Sequence, residues 1–362
     1  METGAAGPVV VKSWQLVRAG EPLALGERVV VDVPPGQVLV RVAGCGVCHT
    51  DLGFVFDGVR TRSPLPLTLG HEISGVVERA GEGAEAWVGR AVVVPAVIPC
   101  GLCADCEAGR GSICAAQSVP GNDVHGGFGS HVLVPARGLC AVEPEGLGRA
   151  GLELADLSVL ADAVSTAYQA AGHAAIRPGD VAIVVGAGGV GGFAAQIARA
   201  LGARVVALDI DDARLEPIAW AAHGINVRGL APKEVREAVR AYARAEWLAE
   251  RSWKIFEASG TAAGQALAFG LLCPGATLMV VGYTMEPVTV RLSNLMAFDA
   301  TARGTWGCLP ELFPKALELV FSGAVRIAAA VERHPMSRVN DVLADLHEKR
   351  LSRRPVLIPD FD

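Results

Sequence analysis

The sequence predicts an α/β protein of two domains, and three observations support this fold class. The 362 residues are enough for two domains of ordinary size, each with its own core. Up to about residue 160, short valine-rich runs alternate with glycine and proline, which is typical of a mainly β domain. From about residue 164 to 308, strand-like and helix-like runs take turns, which indicates βαβ units around a parallel sheet.

The end of the chain predicts a discontinuous first domain. After Pro310, two helical stretches lead to the run RRPVLIP, which we expect to form a strand that returns to the first domain. The predicted division is therefore residues 1–163 with 309–362 for the mainly β domain, and residues 164–308 for the domain with the parallel sheet.

Composition excludes several classes of protein. With 51% hydrophobic and 19% charged residues, the chain is not disordered, and no apolar run is long enough to cross a membrane. The first residues lack a basic region followed by a long apolar core, so we expect no secretory signal and a cytoplasmic location. A net charge of -6 gives no general attraction to nucleic acid, so we expect neither nucleic acid nor membrane as a partner.

Four cysteines with C-x2-C-x2-C-x7-C spacing predict a structural zinc site: Cys100, Cys103, Cys106 and Cys114. Four thiolates leave no ligand position for a substrate, so this metal would fold the loop and take no part in chemistry. An iron–sulfur cluster and four buried free thiols are the alternatives.

Two further segments, GCGVCHTD and GHE, predict a second and open zinc site. Cys48 and His71 would supply two ligands and Asp162 the third, since mixed sulfur, nitrogen and oxygen ligands from distant segments suit catalytic zinc. Glu72 would bind the metal in place of substrate or water, or support the site. A structural histidine in a glycine-rich turn and a helix-capping Asp162 are the alternatives.

Zinc at such a site would act as a Lewis acid that lowers the pKa of an alcohol hydroxyl, after which the alkoxide expels hydride. Because zinc has no redox chemistry, the electrons must leave through an organic cofactor. Thr50 is the candidate to pass the departing proton outward, and Asp51 is the candidate to orient the ring of His71. Plain hydrogen bonds within a turn are the alternative for both residues.

The cofactor site is predicted where the strand VAIVV runs into a glycine-rich turn and a helix. The turn comprises Gly186, Ala187, Gly188, Gly189, Val190 and Gly191. Asp209 ends the next strand, where its carboxylate can accept both ribose hydroxyls and would repel a 2′-phosphate, which favours NAD over NADP. Arg214 is a candidate contact of the adenosine ribose, and His49 and Arg354 are candidate pyrophosphate contacts. Ordinary surface roles are the alternative for the last two.

Together and in this order, GCGVCHTD, GHE, the four-cysteine loop and GAGGVG resemble the zinc-containing medium-chain alcohol dehydrogenases over nearly the whole chain. The resemblance implies a GroES-like catalytic domain, a Rossmann domain and a homodimer or homotetramer. It gives Cys48, His71 and Asp162 the zinc-ligand positions and Thr50 the proton-relay hydroxyl. Asp162 stands where many members have a second cysteine, and Gly53 stands where many have a relay histidine.

Three longer segments, GNDVHGGFGSHVLVPARGLC, WKIFEASGTAAGQ and VRLSNLMAFDA, resemble the dehydrogenases of 6-hydroxycyclohex-1-ene-1-carbonyl-CoA in anaerobic benzoyl-CoA degradation. This resemblance implies an acyl-CoA substrate whose cyclic allylic alcohol is oxidised to the 6-oxo compound with NAD as acceptor. Arg60 and Arg62 are candidate partners of the CoA phosphates, with a solvated loop as the alternative. The conjugated product suggests a further reaction, addition of water at the same site.

Two rival interpretations remain open from the sequence. One is a zinc dehydrogenase for a different secondary, allylic or aromatic alcohol, which would keep every motif. The other is a noncatalytic zinc-stabilised binding protein, which has no need of a second, open metal site. The remaining cysteines are expected to be buried packing residues: Cys45, Cys140, Cys273 and Cys308.

Overall fold

The computed structural model describes residues 7–361, and the chain divides into two compact units. The first unit contains the described residues up to 162 together with 308–314 and those from 331 onward, and the second contains Ala163–Gly307 and Lys315–Ala330. The sequence pattern assigns Lys315–Ala330 to the first domain. In the structure this segment belongs to the second unit, because an amphipathic pattern predicts a helix and does not identify the core against which it packs.

The first unit is built mainly from strands, in a three-stranded sheet of order β2-β1-β4 and a seven-stranded sheet of order β15-β16-β3-β5-β6-β8 with β7 paired to β3. The strands are β1 (Val9–Leu16), β2 (Ala24–Val30), β3 (Gln37–Gly46), β4 (Leu67–Thr68), β5 (Glu72–Ala80), β6 (Ala91–Val94), β7 (His131–Pro135), β8 (Cys140–Ala141), β15 (Val331–Pro335) and β16 (Arg354–Ile358). Valine and leucine side chains from these strands form one large buried cluster.

Helices of the first unit are short. They are α1 (His49–Val55), α2 (Ala104–Glu107), α3 (Pro144–Ala150) and α11 (Val339–His347), with 3-10 turns at Glu85–Trp87, Gly111–Ile113, Leu154–Ala161, Pro310–Leu312 and Met336–Arg338. The longest of the 3-10 segments, Leu154–Ala161, is almost wholly buried and packs against β3 and β5. It ends at Asp162, and this packing therefore fixes the position of that residue.

Strand pairing brings the two predicted metal-binding segments together. β3 and β5 are antiparallel neighbours in which Gly46 pairs with Glu72. Cys48 follows β3 by two residues and His71 immediately precedes β5, so both lie at the same end of the pair. β16 lies on the other side of β3, with Val356 opposite Gly46. The returning tail thus supplies residues beside the same point.

The second unit contains a six-stranded parallel sheet of order β11-β10-β9-β12-β13-β14. Its strands are β9 (Val181–Val185), β10 (Arg204–Asp209), β11 (His223–Asn226), β12 (Lys254–Glu257), β13 (Thr277–Val280) and β14 (Thr301–Gly304). Its helices are α4 (Ala163–His173), α5 (Gly189–Ala200), α6 (Asp212–Leu215), α7 (Pro232–Ala245), α8 (Ala262–Gly270) and α9 (Ser293–Phe298), while α10 (Phe313–Phe321) crosses the boundary at residue 315.

The burial of strand β9 is consistent with a parallel sheet in the second unit. All five residues of β9 are buried, as expected for a strand covered by helices on both faces. The order of strands is that of a dinucleotide-binding sheet, in which ligands bind beyond the carboxyl ends of the strands. The predicted fold class is confirmed.

Within residues 7–361, no helix is both long and apolar enough to cross a bilayer.

Candidate active site

The four-cysteine loop gathers its sulfur atoms into a compact group. Sγ of Cys106 lies 3.9 Å from that of Cys100 and 3.5 Å from that of Cys103, and Sγ of Cys103 lies 3.8 Å from that of Cys114. Zinc–sulfur bonds of about 2.3 Å in a tetrahedron require sulfur separations of about 3.8 Å. The loop therefore fits one zinc ion held by four thiolates.

Ionisation of these thiols is uneven. Backbone hydrogen bonding from Leu102, followed by a hydrogen bond with Cys114, lowers the pKa of Cys100 to about 6. Burial and hydrogen bonds with neighbouring thiols raise the pKa of Cys106 to about 11. Because metal ligation requires thiolates, binding of zinc must release a proton from Cys106 at neutral pH.

The second predicted site also forms. The ligand atoms of Cys48, His71 and Asp162 all lie within 4.8 Å of one another. Asp162 Oδ2 is 3.5 Å from His71 Nε2 and 3.7 Å from Cys48 Sγ. Three donors of mixed type, one sulfur, one nitrogen and one oxygen, fit a catalytic zinc with one position left open.

Asp51 supports this donor set from the side of the protein core. Its carboxylate is fully buried and accepts hydrogen bonds from the backbone N–H groups of Cys48 and Gly70. Asp51 Oδ1 lies 3.8 Å from His71 Nδ1. Burial lowers the pKa of His71, but the Asp51 carboxylate and the hydrogen bonds to Asp162 and Cys48 outweigh it and raise the pKa well above its ordinary value. The site thus concentrates negative charge that a cation would balance.

Glu72, which was predicted either to bind the metal or to support the site, has an arginine as its partner. It lies outside the donor set, and its two carboxylate oxygens accept hydrogen bonds from Arg354 Nε at 2.7 Å and Nη2 at 2.8 Å. Burial raises the pKa of Glu72, opposed by the charge of Arg354. A buried carboxylate without a partner is costly, which explains why Glu72 faces Arg354. Arg354, a predicted pyrophosphate contact, is itself 8% exposed and is held by this pair.

The first turn of α1 carries the remaining predicted residues of this segment. Thr50 is exposed and its Oγ1 lies 3.8 Å from Cys48 Sγ, while His49 is exposed beside it. Gly53 is buried, and a Cβ atom there would lie 3.3 Å from Val59 Cγ2. Val59 therefore occupies part of the space that a relay side chain at residue 53 would need.

In the second unit, three glycines of the predicted cofactor turn have distinct structural reasons. Gly186 has φ of +90°, which favours glycine, and a Cβ there would lie 2.6 Å from Ser259 Cα. A Cβ on Gly191 would lie 1.8 Å from the Gly186 carbonyl oxygen, so helix and turn pack too closely for a side chain. Gly188 is the N-cap of α5, where the only neighbour of a Cβ atom within 4 Å would be Arg214 Nη1 and where a pyrophosphate can approach the backbone. Gly189 and Val190 form the first turn of that helix.

Asp209 lies at the carboxyl end of β10, 6% exposed, and accepts hydrogen bonds from the backbone N–H groups of Ala187 and Asp211. It is therefore fixed beside the glycine turn. Arg214 Nη1 lies 3.7 Å from the Cβ position of Gly188, so its guanidinium reaches the same turn. These contacts suit a dinucleotide whose ribose meets Asp209.

Glu257, which ends β12 next to the cofactor turn, belongs to none of the motifs named above. Its Oε1 accepts hydrogen bonds from Ser259 N–H and Oγ–H and from Gly260 N–H. Burial raises the pKa of Glu257. Its carboxylate holds the β12–α8 turn against Gly186. An acidic residue at the carboxyl end of the fourth strand in such a sheet was the available signal.

Comparison with known families gives two matches. Residues 34–144 match the alcohol dehydrogenase GroES-like domain, and residues 189–322 match the zinc-binding dehydrogenase family. The first match includes Cys48, His71 and the four-cysteine loop, and the second includes Asp209 and the whole of α5, the helix that follows the cofactor turn.

Relatives extend over nearly the whole chain. An alcohol dehydrogenase from Rhizobium meliloti is 30% identical over 345 residues, which is 93% of this chain and 96% of that protein. The crystal structure of an alcohol dehydrogenase from the archaeon Aeropyrum pernix has a TM-score of 0.83 at 30% identity and covers 96% of this chain and 100% of that chain. A cobalt- and zinc-bound thermostable alcohol dehydrogenase from Pyrobaculum aerophilum has a TM-score of 0.81 at 27% identity, covering 97% and 100%.

Proposed function

The chain belongs to the zinc-dependent medium-chain alcohol dehydrogenase family, whose typical cofactors are zinc and NAD, and we propose that it oxidises the cyclic allylic alcohol of an acyl-CoA thioester. The observation that supports alcohol oxidation is the open donor set of Cys48, His71 and Asp162. A noncatalytic protein would need only the closed four-cysteine loop.

When bound, zinc supplies Lewis acidity to the alcohol oxygen and NAD accepts the hydride. The protein's own residues bind, orient and transfer the proton. Asp51 fixes the backbone on both sides of the donor set and keeps Nε2 of His71 facing Cys48 and Asp162. Thr50, exposed beside Cys48, would take the alcohol proton and release it to water.

The cofactor half of the proposal rests on the glycine turn. Gly188 leaves the N-terminus of α5 open to an anion, and Asp209 is fixed where it can accept ribose hydroxyls. The same carboxylate would lie against a 2′-phosphate, so we propose NAD as the preferred cofactor over NADP.

The specific substrate that we propose is 6-hydroxycyclohex-1-ene-1-carbonyl-CoA. Beyond the segment resemblance, support comes from Arg60, which is exposed and forms no ion pair among residues 7–361 and so is available to a phosphate. Arg62 is less available, because its Nη1 lies 3.5 Å from Asp123 Oδ1. Arg60 is therefore the better candidate for a CoA contact.

Substrate comparison tests this proposal. NADH formation by the zinc-loaded protein is measured with 6-hydroxycyclohex-1-ene-1-carbonyl-CoA, cyclohex-2-enol and ethanol. We expect a strong preference for the thioester. In Arg60→Gln this preference should be weaker, because the KM for the thioester rises while kcat stays nearly the same. Equal rates with free cyclohex-2-enol would exclude the CoA substrate and leave an alcohol dehydrogenase of different specificity.

Hydration of the enone product is a second reaction that the chemistry permits. Polarisation of the ketone makes the β-carbon electrophilic, so the oxygen of water bonds to that carbon while a proton adds to the α-carbon. Incubation of the enone with the zinc- and NAD-loaded protein should yield 2-hydroxy-6-oxocyclohexane-1-carbonyl-CoA. Recovery of unchanged enone after prolonged incubation would remove hydration from the proposal.

We also propose that the protein is cytoplasmic and forms a homodimer or homotetramer. All four residues of β14, at the edge of the parallel sheet, are exposed. Leu292 and Met296 nearby in the sequence are 69% and 78% exposed. An edge strand with exposed apolar neighbours is suited to pairing with the same strand of a second copy. Light scattering that finds only monomers at micromolar concentration would contradict this assembly.

A further inference from the structure

The first unit contains a cavity of about 450 Å³ that the proposed reaction does not use. Its volume falls in the range of small-molecule sites. Polar groups in its wall come from Arg28, Gln37, Ser63 and His125, and the rest of the wall is apolar. No aspartate or glutamate lines it, so the charge in the cavity is that of Arg28.

Arg28 lacks the partner that a half-buried guanidinium requires. Its Nε is buried and forms no hydrogen bond within the described residues, and none of its nitrogens is in an ion pair there. Burial lowers the pKa of Arg28, with no carboxylate nearby to oppose the effect. A partly buried cation without a counter-charge is unusual in native proteins, so the guanidinium of Arg28 is available to an anion that enters the cavity.

His125 adds a second donor beside Arg28. Its Nδ1 accepts a hydrogen bond from Thr68 N–H at 3.1 Å, so the proton of the neutral ring lies on Nε2. Burial, followed by the charge of Arg28, lowers the pKa of His125 and keeps the ring neutral. The cavity therefore offers one positive charge and additional neutral donors.

The apolar wall limits what kind of anion fits. Leu65, Leu67 and Leu133 contribute side chains to it. A strongly hydrated dianion would lose its water shell against these leucines, whereas a monoanion with an apolar body would bury that body against them. A planar carboxylate also matches the bidentate geometry of a guanidinium.

We propose that the cavity around Arg28 and His125 is a second binding site, separate from the catalytic centre, for a small carboxylate with an apolar body. Arg28 binds the carboxylate, His125 Nε2–H donates to it, and the leucines enclose the apolar part. The ligand would contact β4, whose last residue Thr68 precedes His71 by three positions. A ligand in the cavity thus binds the segment that leads into the catalytic site.

Calorimetric titration of the zinc-loaded enzyme with benzoate tests the site. We expect one benzoate bound per chain at this cavity, with affinity reduced about tenfold or more in Arg28→Gln, because a bidentate charged contact is lost. Since the Arg28 side chain has no ion-pair partner among residues 7–361, the fold of this variant should persist. Arg28→Lys, which keeps the charge without the planar fork, should show an intermediate affinity.

Arg149→Gln is the matched control, since Arg149 is exposed at the end of α3 in the same unit and lies outside the cavity. It should bind benzoate as the unchanged protein does. Benzoate affinity that is equal in Arg28→Gln and the unchanged protein would overturn the site and assign the binding elsewhere, such as the catalytic metal. Inorganic phosphate that binds as tightly as benzoate would overturn the assignment to an apolar carboxylate.

Discussion

The two metal-type clusters of the first unit differ in how the chain builds them. One lies within a single loop of 15 residues, from Cys100 to Cys114, and its four ligands have the same chemistry. The other draws Cys48, His71 and Asp162 from three distant segments, and strand pairing and the buried 3-10 segment hold them together. The local cluster depends on its metal for shape, whereas the distant cluster depends on the fold for position. We therefore expect stability to depend mainly on the first metal and activity on the second.

Loss of an open-site ligand should have the largest effect. In Cys48→Ser we expect the rate of NADH formation to fall roughly a thousandfold or more, since Lewis-acid stabilisation contributes several kcal/mol. The free energy of unfolding should change by less than about 1 kcal/mol. Cys140→Ser, which replaces a buried thiol outside both clusters, is the control for oxidation and packing. Near-normal activity of Cys48→Ser would refute the catalytic assignment.

Loss of a loop ligand should have the opposite pattern. We expect Cys106→Ser to lower the free energy of unfolding by more than about 4 kcal/mol, because zinc binding there is coupled to folding of the loop. Zinc content should fall from two ions to one per chain. Activity per folded molecule should stay within about twofold. An equal loss of activity and stability would mean that the two clusters are not independent.

The buried pair beside the open site should have a smaller effect. Glu72→Gln leaves Arg354 as an uncompensated buried cation, and we expect a loss of about 3 kcal/mol in chemical denaturation. Glu153→Gln is a matched control, since Glu153 also pairs with an arginine, Arg333, at 2.7 Å but is 71% exposed. That exposed pair should contribute less than about 1 kcal/mol. Similar losses in both variants would contradict the importance of burial.

Removal of metal by a chelator should separate the clusters with the least perturbation. Activity should disappear before the loop zinc is released, since the open site has one ligand fewer. Release from the loop should quicken as pH falls from about 9 toward about 6. Cys100 has its pKa lowered to about 6, so the stabilising thiolate is fully present above its ordinary pKa and is lost as pH falls through about 6. Simultaneous loss of both ions at all pH values would argue against this ordering.

Much of the fold and of the two metal sites could be predicted from the sequence, because metal ligands and glycine turns occur in short motifs with regular spacing. The four-cysteine loop, the strand, glycine turn and helix of the cofactor site, and the convergence of Cys48 with His71 all follow from short motifs. The partner of Glu72 did not, since Arg354 lies 282 residues away and no local pattern links them. The cavity at Arg28 was also missed, because its wall combines residues from separate strands and loops with no common motif.

That distance of 282 residues also has a consequence for synthesis on the ribosome. Glu72 emerges early, but Arg354 is made roughly 15–60 s later at ordinary elongation rates. Until then β3 lacks its neighbour β16 and a carboxylate destined for burial has no counter-charge. The second unit, including the Lys315–Ala330 segment, is translated in full before that moment. We therefore expect the nascent chain to complete its parallel sheet while the metal-binding unit still lacks strand β16.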